Sequence, residues 1–343
     1  MLDAEPTSDV VLSVVSGDPG EATVSLSALT FTPGNWSTPQ TVTVTGVDDA
    51  VDDGNQSTAI TVGVVDASSD NGFDPLADQT VTVTTVDDDT AGFTIAESGG
   101  ATTVTEAGAT DTFTVVLDAE PTSDVVLSVV SGDTGEATVS VSALTFTPGN
   151  WSTPQTITVT GVDDALADGN QSTAITIAVV DASSDNSFDP LADQTVNVTT
   201  TDDDTAGFTS VESGGGTSVT EAGATDTFTI VLDAEPTSDV VLSVVSGDPG
   251  EATVSLSALT FTPANWDTPQ TVTVTGVDDA VDDGNQSTAI TVGVVDASSD
   301  NSFDPLADQT VTVTTVDDDT AGFTIAESGG ATTVTEAGAT DTF

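Results

Sequence analysis

The sequence predicts an all-β protein made of antiparallel β-sandwich domains repeated end to end. Three observations carry that expectation. The segment "LDAEPTSDVVLSVVSGD" begins at Leu2, Leu117 and Leu232, a period of 115 residues, which is the size of a whole domain rather than of one solenoid unit. Within each copy, short runs alternate apolar and polar residues with period 2, and turn-forming residues cluster between them. No stretch carries a helical period, and the spacing of runs and turns is that of a sandwich.

In the middle copy the runs are, in order, "GFTIAE", "TTVTEAG", "DTFTVVLD", "DVVLSVV", "ATVSVSALTFT", "QTITVTGV", "STAITIAVV" and "QTVNVTT". The first two read as one broken strand, giving a seven-strand sandwich. From Leu2 onward, copies one and three differ only at Gly34/Ala264, Ser37/Asp267 and Gly72/Ser302. The expected domains are 1–89, a repeat lacking its first strand; 90–204 and 205–319, both complete; and 320–343, the opening strands of a further repeat. The whole reads as a piece of a longer array.

The chain holds 57 acidic residues and no lysine, arginine or histidine, for a net charge of −57. No salt bridge between side chains is possible. With 36% hydrophobic residues the chain can still build cores, so order is expected rather than disorder. Nucleic acid and anionic membrane surfaces are disfavoured partners, because both need basic side chains to displace counterions. Without cysteine or histidine there is no disulfide, thiolate or imidazole site; carboxylate and carbonyl oxygens suit hard cations such as Ca²⁺. No apolar run is long enough to span a membrane, and "MLDAEPTSD" is not a signal peptide, so any export signal is expected outside these residues.

Strand alternation sorts the turns between the two ends of a sandwich. Turns Glu106 to Asp111, Gly132 to Glu136 and Asp163 to Asn170, with Asp202, Asp203 and Asp204, fall at one pole. The other pole receives Leu117 to Asp124, Thr147 to Gln155 and Asp181 to Gln194, where Pro, Trp and Phe mix with the acids. Unpaired carboxylates gathered at one end repel by about 4 kcal/mol per pair at about 4 Å and an effective dielectric of 20. A bound cation reverses that sign, and Ca²⁺ accommodates roughly 6 to 8 oxygens in flexible geometry. Acids clustered from sequence-distant turns favour a metal over solvated loop charge.

The segments "VTEAG", "LTFTPGNWSTPQTITVTGVDD" and "VTTTDDDTAGF", in that order, resemble Calx-beta domains, seen in sodium/calcium exchangers and in repeats of large bacterial surface proteins. That resemblance covers the whole repeat and implies an immunoglobulin-like sandwich. It also implies calcium ligands at Glu106, Asp163, Asp164, Asp168, Asp202, Asp203 and Asp204, the residues that the sorting of turns gathers. Their counterparts are Asp48, Asp49, Asp53, Asp87, Asp88 and Asp89 in the first copy, and Glu221, Asp278, Asp279, Asp283, Asp317, Asp318 and Asp319 in the third. Secondary candidates are Asp18, Asp133 and Asp248 in the third turn, and Asp185, Asp189, Asp300 and Asp304 at the mixed pole. The loop "DDALADGN" is not an EF-hand, since its glycine has the wrong spacing and no glutamate closes it.

The expected role is structural: a calcium-binding array forming an extended, calcium-stiffened stalk or filament of a bacterial surface or secreted protein, in adhesion or a biofilm matrix. The expected partners are calcium, neighbouring repeats and other copies of the chain. Alternatives are a glycan-binding module using Trp36, Trp151 and Trp266, and a calcium-responsive regulatory domain. No catalysis is expected, because His, Lys, Cys, Tyr and Arg are all absent and near-identical sites recur in every repeat.

Overall fold

A computed structural model describes all 343 residues, which form β-strands joined by turns and one-turn 3-10 helices. The first repeat contains β1 (Val10–Ser16), β2 (Ala22–Val24), β3 (Ala28–Phe31), β4 (Val44–Gly46), β5 (Gln56–Val64) and β6 (Gln79–Thr85). The second contains β7 (Phe93–Glu97), β8 (Thr102–Thr105), β9 (Thr110–Leu117), β10 (Val125–Ser131), β11 (Ala137–Val139), β12 (Ala143–Phe146), β13 (Gln155–Gly161), β14 (Gln171–Val179) and β15 (Gln194–Thr201). The third contains β16 (Phe208–Glu212), β17 (Thr217–Thr220), β18 (Thr225–Leu232), β19 (Val240–Ser246), β20 (Ala252–Val254), β21 (Ala258–Phe261), β22 (Gln270–Gly276), β23 (Gln286–Val294) and β24 (Gln309–Val316). Two compact units divide the chain: Met1–Val162 with Ser172–Thr200, and Asp163–Gln171 with Thr201–Phe343.

The all-β sandwich stands. In the third repeat one sheet has the order β16-β18-β22-β20 and the other β17-β24-β23-β19-β21. The broken first strand is real: β16 pairs antiparallel with β18, while β17 joins the opposite sheet, parallel to β24. Gly214 and Gly215 between them, at φ 71° and 84°, occupy the left-handed region and turn the chain from one sheet to the other.

Each complete repeat has nine strands rather than the expected seven, one of the two extra because the halves of the broken first strand lie in different sheets and count separately. The run "ATVSVSALTFT" is two strands in opposite sheets, and its counterpart in the third repeat shows why. Ser255 donates its N–H to the Thr273 carbonyl in one sheet, and two residues later the Ser257 carbonyl accepts from Val244 N–H in the other. The period-2 alternation runs on from Ser255 to Ser257, so the crossing itself is silent in the sequence, but its phase slips just afterwards at the adjacent apolar pair Ala258 and Leu259, of which the first is exposed and the second buried.

Both cores form where the inward faces meet. Phe113, Phe146 and Phe188 are fully buried in the second repeat, and Phe228, Phe261 and Phe303 in the third. Burying a large apolar side chain contributes about 1.5–3 kcal/mol, and these phenylalanines share each core with a majority of Val, Leu and Ile side chains.

The first repeat is more open than expected. It has a sheet of order β3-β1-β5-β6 and the pair β2-β4, with no counterparts of β7, β8 and β9. The strand that β9 provides is therefore absent as well as the broken first strand formed by β7 and β8. The 320–343 stretch was expected to open a further repeat, but it forms no strand, although it repeats Thr90 to Phe113 residue for residue. Ladder hydrogen bonds need a partner strand, and within this unit the stretch has none.

Candidate metal centre

The acid pole is clearest in the third repeat, where every contributing segment lies in one compact unit. The loop "VDDAVDDGN" leaves β22 and enters β23. It begins with a turn in which Asp279 Oδ1 accepts from Val281 N–H at 2.7 Å, the local bond that makes Asp a turn residue. Further along, Gly284 sits at φ 74° and aims its N–H at Asp317 Oδ2, 2.7 Å away. Asn285 Oδ1 accepts from Asp317 N–H at 3.3 Å, and Asp317 Oδ1 from Asp319 N–H at 2.8 Å. These bonds lace the loop after β22 to the aspartates after β24.

The parallel pairing of β17 with β24 brings in the glutamate. Thr220 lies opposite Val316, and the next residue, Glu221, donates its N–H to the Val316 carbonyl at 3.1 Å. Its side chain is 1% exposed, and Oε2 accepts from Asp318 N–H at 3.4 Å. One oxygen each from Glu221, Asp317 and Asp319 lies within 4.8 Å of the other two. Calcium–oxygen distances are about 2.3–2.6 Å, so ligands on opposite sides of one ion stand about 5 Å apart. The spacing fits a single Ca²⁺.

The electrostatics agree. Burial pushes the Glu221 carboxyl above its usual value, the Asp318 N–H opposes that, and Asp317, Asp279 and Glu251 add repulsion. Asp319 is raised by burial and then by Asp318, Asp317, Asp278 and Asp279. Glu251 is raised by burial and then by Asp283, Asp248, Asp279 and Asp317. Glu251 Oε2 and Asp319 Oδ2 are buried with no hydrogen-bond partner. A buried charge of this kind demands a counter-charge or a proton, and the chain has no basic side chain to supply the former.

The pattern recurs. In the second repeat Gly169 N–H reaches Asp202 Oδ2 at 2.6 Å, Asp204 N–H reaches Asp202 Oδ1 at 2.7 Å, and Glu106 is 1% exposed. Asp204 is raised by burial and then by Asp202, Asp203, Asp163 and Asp164. In the first repeat Gly54 N–H meets Asp87 Oδ2 at 2.7 Å, and burial followed by Asp88, Asp87, Asp48 and Asp49 raises Asp89.

Glu21, Glu136 and Glu251 went unrecognised in the sequence, where Asp18, Asp133 and Asp248 stood for that turn. Each of these aspartates spends Oδ1 on the N–H two residues on, Gly20, Gly135 or Gly250, at 2.9 Å. The glutamate next to the strand faces the cluster instead: Glu21 is raised by burial and then by Asp53, Asp49, Asp18 and Asp87. The legible signal is the Glu placed directly before buried Ala22, Ala137 or Ala252 at a strand start.

The mixed-pole candidates do a different job. Asp185 Oδ2 accepts from Thr122 N–H at 2.7 Å, Thr122 Oγ1 at 2.6 Å and Ser123 N–H at 3.0 Å, while Oδ1 accepts from Ser187 N–H at 3.1 Å. Burial alone would raise its carboxyl, but these donors, led by Thr122, bring it down to about 2. Asp300 is held to about 2 in the same way, with Thr237, Ser238 and Ser302 opposing burial. Both are staples between loops. Asp189 and Asp304 each bury Oδ1 without a hydrogen-bond partner but stand outside the acid group. Trp151 and Trp266 pack against their cores.

The acid loops also join repeats within each unit. Glu120 donates its N–H to the Ala50 carbonyl at 2.7 Å, and Ala91 N–H meets Asp52 Oδ2 at 2.7 Å, so the acid loop of the first repeat grips the start of the second. In the other unit Glu235 N–H meets the Ala165 carbonyl at 2.7 Å, the same bond one period on. The fold and its acid pole define a class: tandem all-β sandwich repeats with a carboxylate cage at one end.

No family model and no curated protein matches this sequence. Among solved structures, domains 4–9 of the surface layer protein SbsC are 17% identical with a TM-score of 0.27, over 92% of this chain and 40% of that one. The calcium binding domain CBD12 of CALX1.1 is 15% identical with a TM-score of 0.25, over 58% of this chain and 80% of that one. The apo-form Calx CBD1 domain is 15% identical with a TM-score of 0.23, over 33% and 98% respectively. This chain thus spans well under half the length of the S-layer structure.

Proposed function

We propose that this chain is a structural calcium-binding array, in which Ca²⁺ fills the acid pole of each repeat and stiffens its junction with the next. The observation that supports the reading is the meeting of Glu221, Asp317 and Asp319 oxygens within 4.8 Å around a glutamate that is 1% exposed. The metal-bearing loop is the one that bonds the following repeat, so filling the site orders the junction. Stalk, adhesion and biofilm roles at a bacterial surface follow from an extended, stiffened array. Modules bathed in external calcium need only modest affinity, about 10⁻⁴ to 10⁻³ M. No chemistry is assigned to the site: its residues hold an ion rather than position a nucleophile.

Thermal unfolding and small-angle scattering of the chain, each with Ca²⁺ and with EGTA, test this. The expected result is a higher Tm and longer dimensions in Ca²⁺; equal values in both buffers would sink the reading.

A further inference from the structure

The chain has five Asp–Pro bonds, at Asp18, Asp74, Asp189, Asp248 and Asp304, and the structure divides them into two kinds. Asp18 and Asp248 spend Oδ1 on the N–H of Gly20 and Gly250, each at 2.9 Å. Asp74, Asp189 and Asp304 instead bury Oδ1 with no hydrogen-bond partner. Proline carries no N–H, so the next residue offers this oxygen no donor. A buried polar atom left unpaired at the same place in every repeat calls for an explanation, and neither the acid pole nor the staples at Asp185 and Asp300 use these three.

The backbone around them is held from both sides. In the third repeat Phe303 is fully buried, its N–H meets the Asp300 carbonyl at 3.0 Å, and its own carbonyl accepts from Leu306 N–H at 3.1 Å. The second repeat makes the same turn, with Phe188 N–H on the Asp185 carbonyl at 3.0 Å and Leu191 N–H on the Phe188 carbonyl at 3.1 Å. Pro190 and Pro305 are themselves exposed, so water reaches the bond from the proline side.

We propose that the carboxyls of Asp74, Asp189 and Asp304 cut their own chain at the proline that follows. The carboxyl oxygen adds to the main-chain carbonyl carbon of the same residue and closes a five-membered cyclic anhydride. The C–N bond to proline breaks, and the proton of the carboxyl passes to the proline nitrogen, which leaves as a secondary amine. One water then opens the anhydride to two carboxyls. One peptide bond is exchanged for one water, and nothing is oxidised or reduced. Holding the attacking group and its target together in a fixed turn is a proximity effect. At Asp18 and Asp248 the bond to glycine must be given up before the oxygen can attack, which slows that step.

In the third repeat the cut falls between β23 and β24, which pair from Gln286 with Thr315 to Val292 with Gln309. A cut repeat therefore keeps its sheet, and the pieces part only on unfolding. The three bonds lie 115 residues apart, one in each repeat. Calcium takes no part in the step, which stands independently of the reading of the acid pole.

Incubation of the full chain in acid, folded and in urea, at one pH chosen so that the urea sample is cut, tests the proposal. Circular dichroism follows the fold of the native sample, and mass spectrometry counts new prolyl amino termini. In the folded chain, scission after Asp74, Asp189 and Asp304 is expected to be at least about tenfold faster than after Asp18 and Asp248, a preference that urea abolishes. Asp304→Ala and, at an exposed position, Pro305→Ala should each stop the cut at that bond while the cuts after Asp74 and Asp189 continue. A folded chain that stays whole, equal rates at all five bonds, the same preference in urea, or a P305A chain still cut after Asp304 overturns the proposal.

Discussion

Gly284 donates its backbone N–H to Asp317 Oδ2 at 2.7 Å across 33 residues of sequence, and this bond fixes two acid loops against each other. Gly284 makes this bond at φ 74°, in the left-handed region that favours glycine. An added Cβ would meet nothing within 4 Å, so substitution tests backbone strain alone. Gly284→Ala is expected to destabilise the third repeat by about 1–2 kcal/mol, the cost of the left-handed region for an L-residue, and to weaken its calcium binding. Denaturant unfolding and calcium titration of the variant check both effects.

Glu221→Gln removes a buried charge while keeping the shape. The metal-free chain is expected to be as stable as the parent or more so, since burial and neighbouring carboxylates already disfavour the anion. Calcium affinity of that repeat should fall at least tenfold, about 1.4 kcal/mol, as read by calorimetric titration.

The pH dependence has a defined sign. Glu221, Glu251 and Asp319 are raised in the folded, metal-free chain. Their contribution to stability is therefore full below the ordinary carboxylate pKa of about 4 and is lost as pH rises through their elevated values. The Tm in EGTA should accordingly decline from these groups as pH rises above about 4. The gain in Tm from Ca²⁺ should widen over the same window, because protons and calcium compete for the same oxygens.

Asp185 and Asp300 behave oppositely, being held down at about 2. Their stabilisation is full above the ordinary aspartate pKa of about 3.9 and drains away as pH falls from there through about 2. Asp185→Asn is expected to cost about 1–3 kcal/mol through lost charge-assisted bonds to Thr122 and Ser123. The loss of Tm should be the same in Ca²⁺ and EGTA, which separates a loop staple from a metal ligand.

Much of this was legible from residues alone. The period carried by Leu2, Leu117 and Leu232, the alternation along strands and the acidity of the turns that hold Asp163, Asp164 and Asp202 to Asp204 are all local or repetitive signals. The inward role of Glu251 was not legible, because Asp248 in the same turn is equally acidic and only the path of β20 decides which one faces the cluster. The staple at Asp185 was hidden for a similar reason: its donors Thr122 and Ser123 are some 60 residues away in sequence, and nothing near Asp185 announces them.

By itself the sequence determined the all-β class, the repeat and an acidity that no basic side chain balances, because alternation, periodicity and charge are written residue by residue. The tertiary structure decided which oxygens meet, that "ATVSVSALTFT" serves two sheets, and that one stretch is a pair of buried strands at Thr90 to Phe113 and uncovered chain at 320–343. Those outcomes depend on the neighbours a segment finds: a strand exists only where another strand receives its hydrogen bonds.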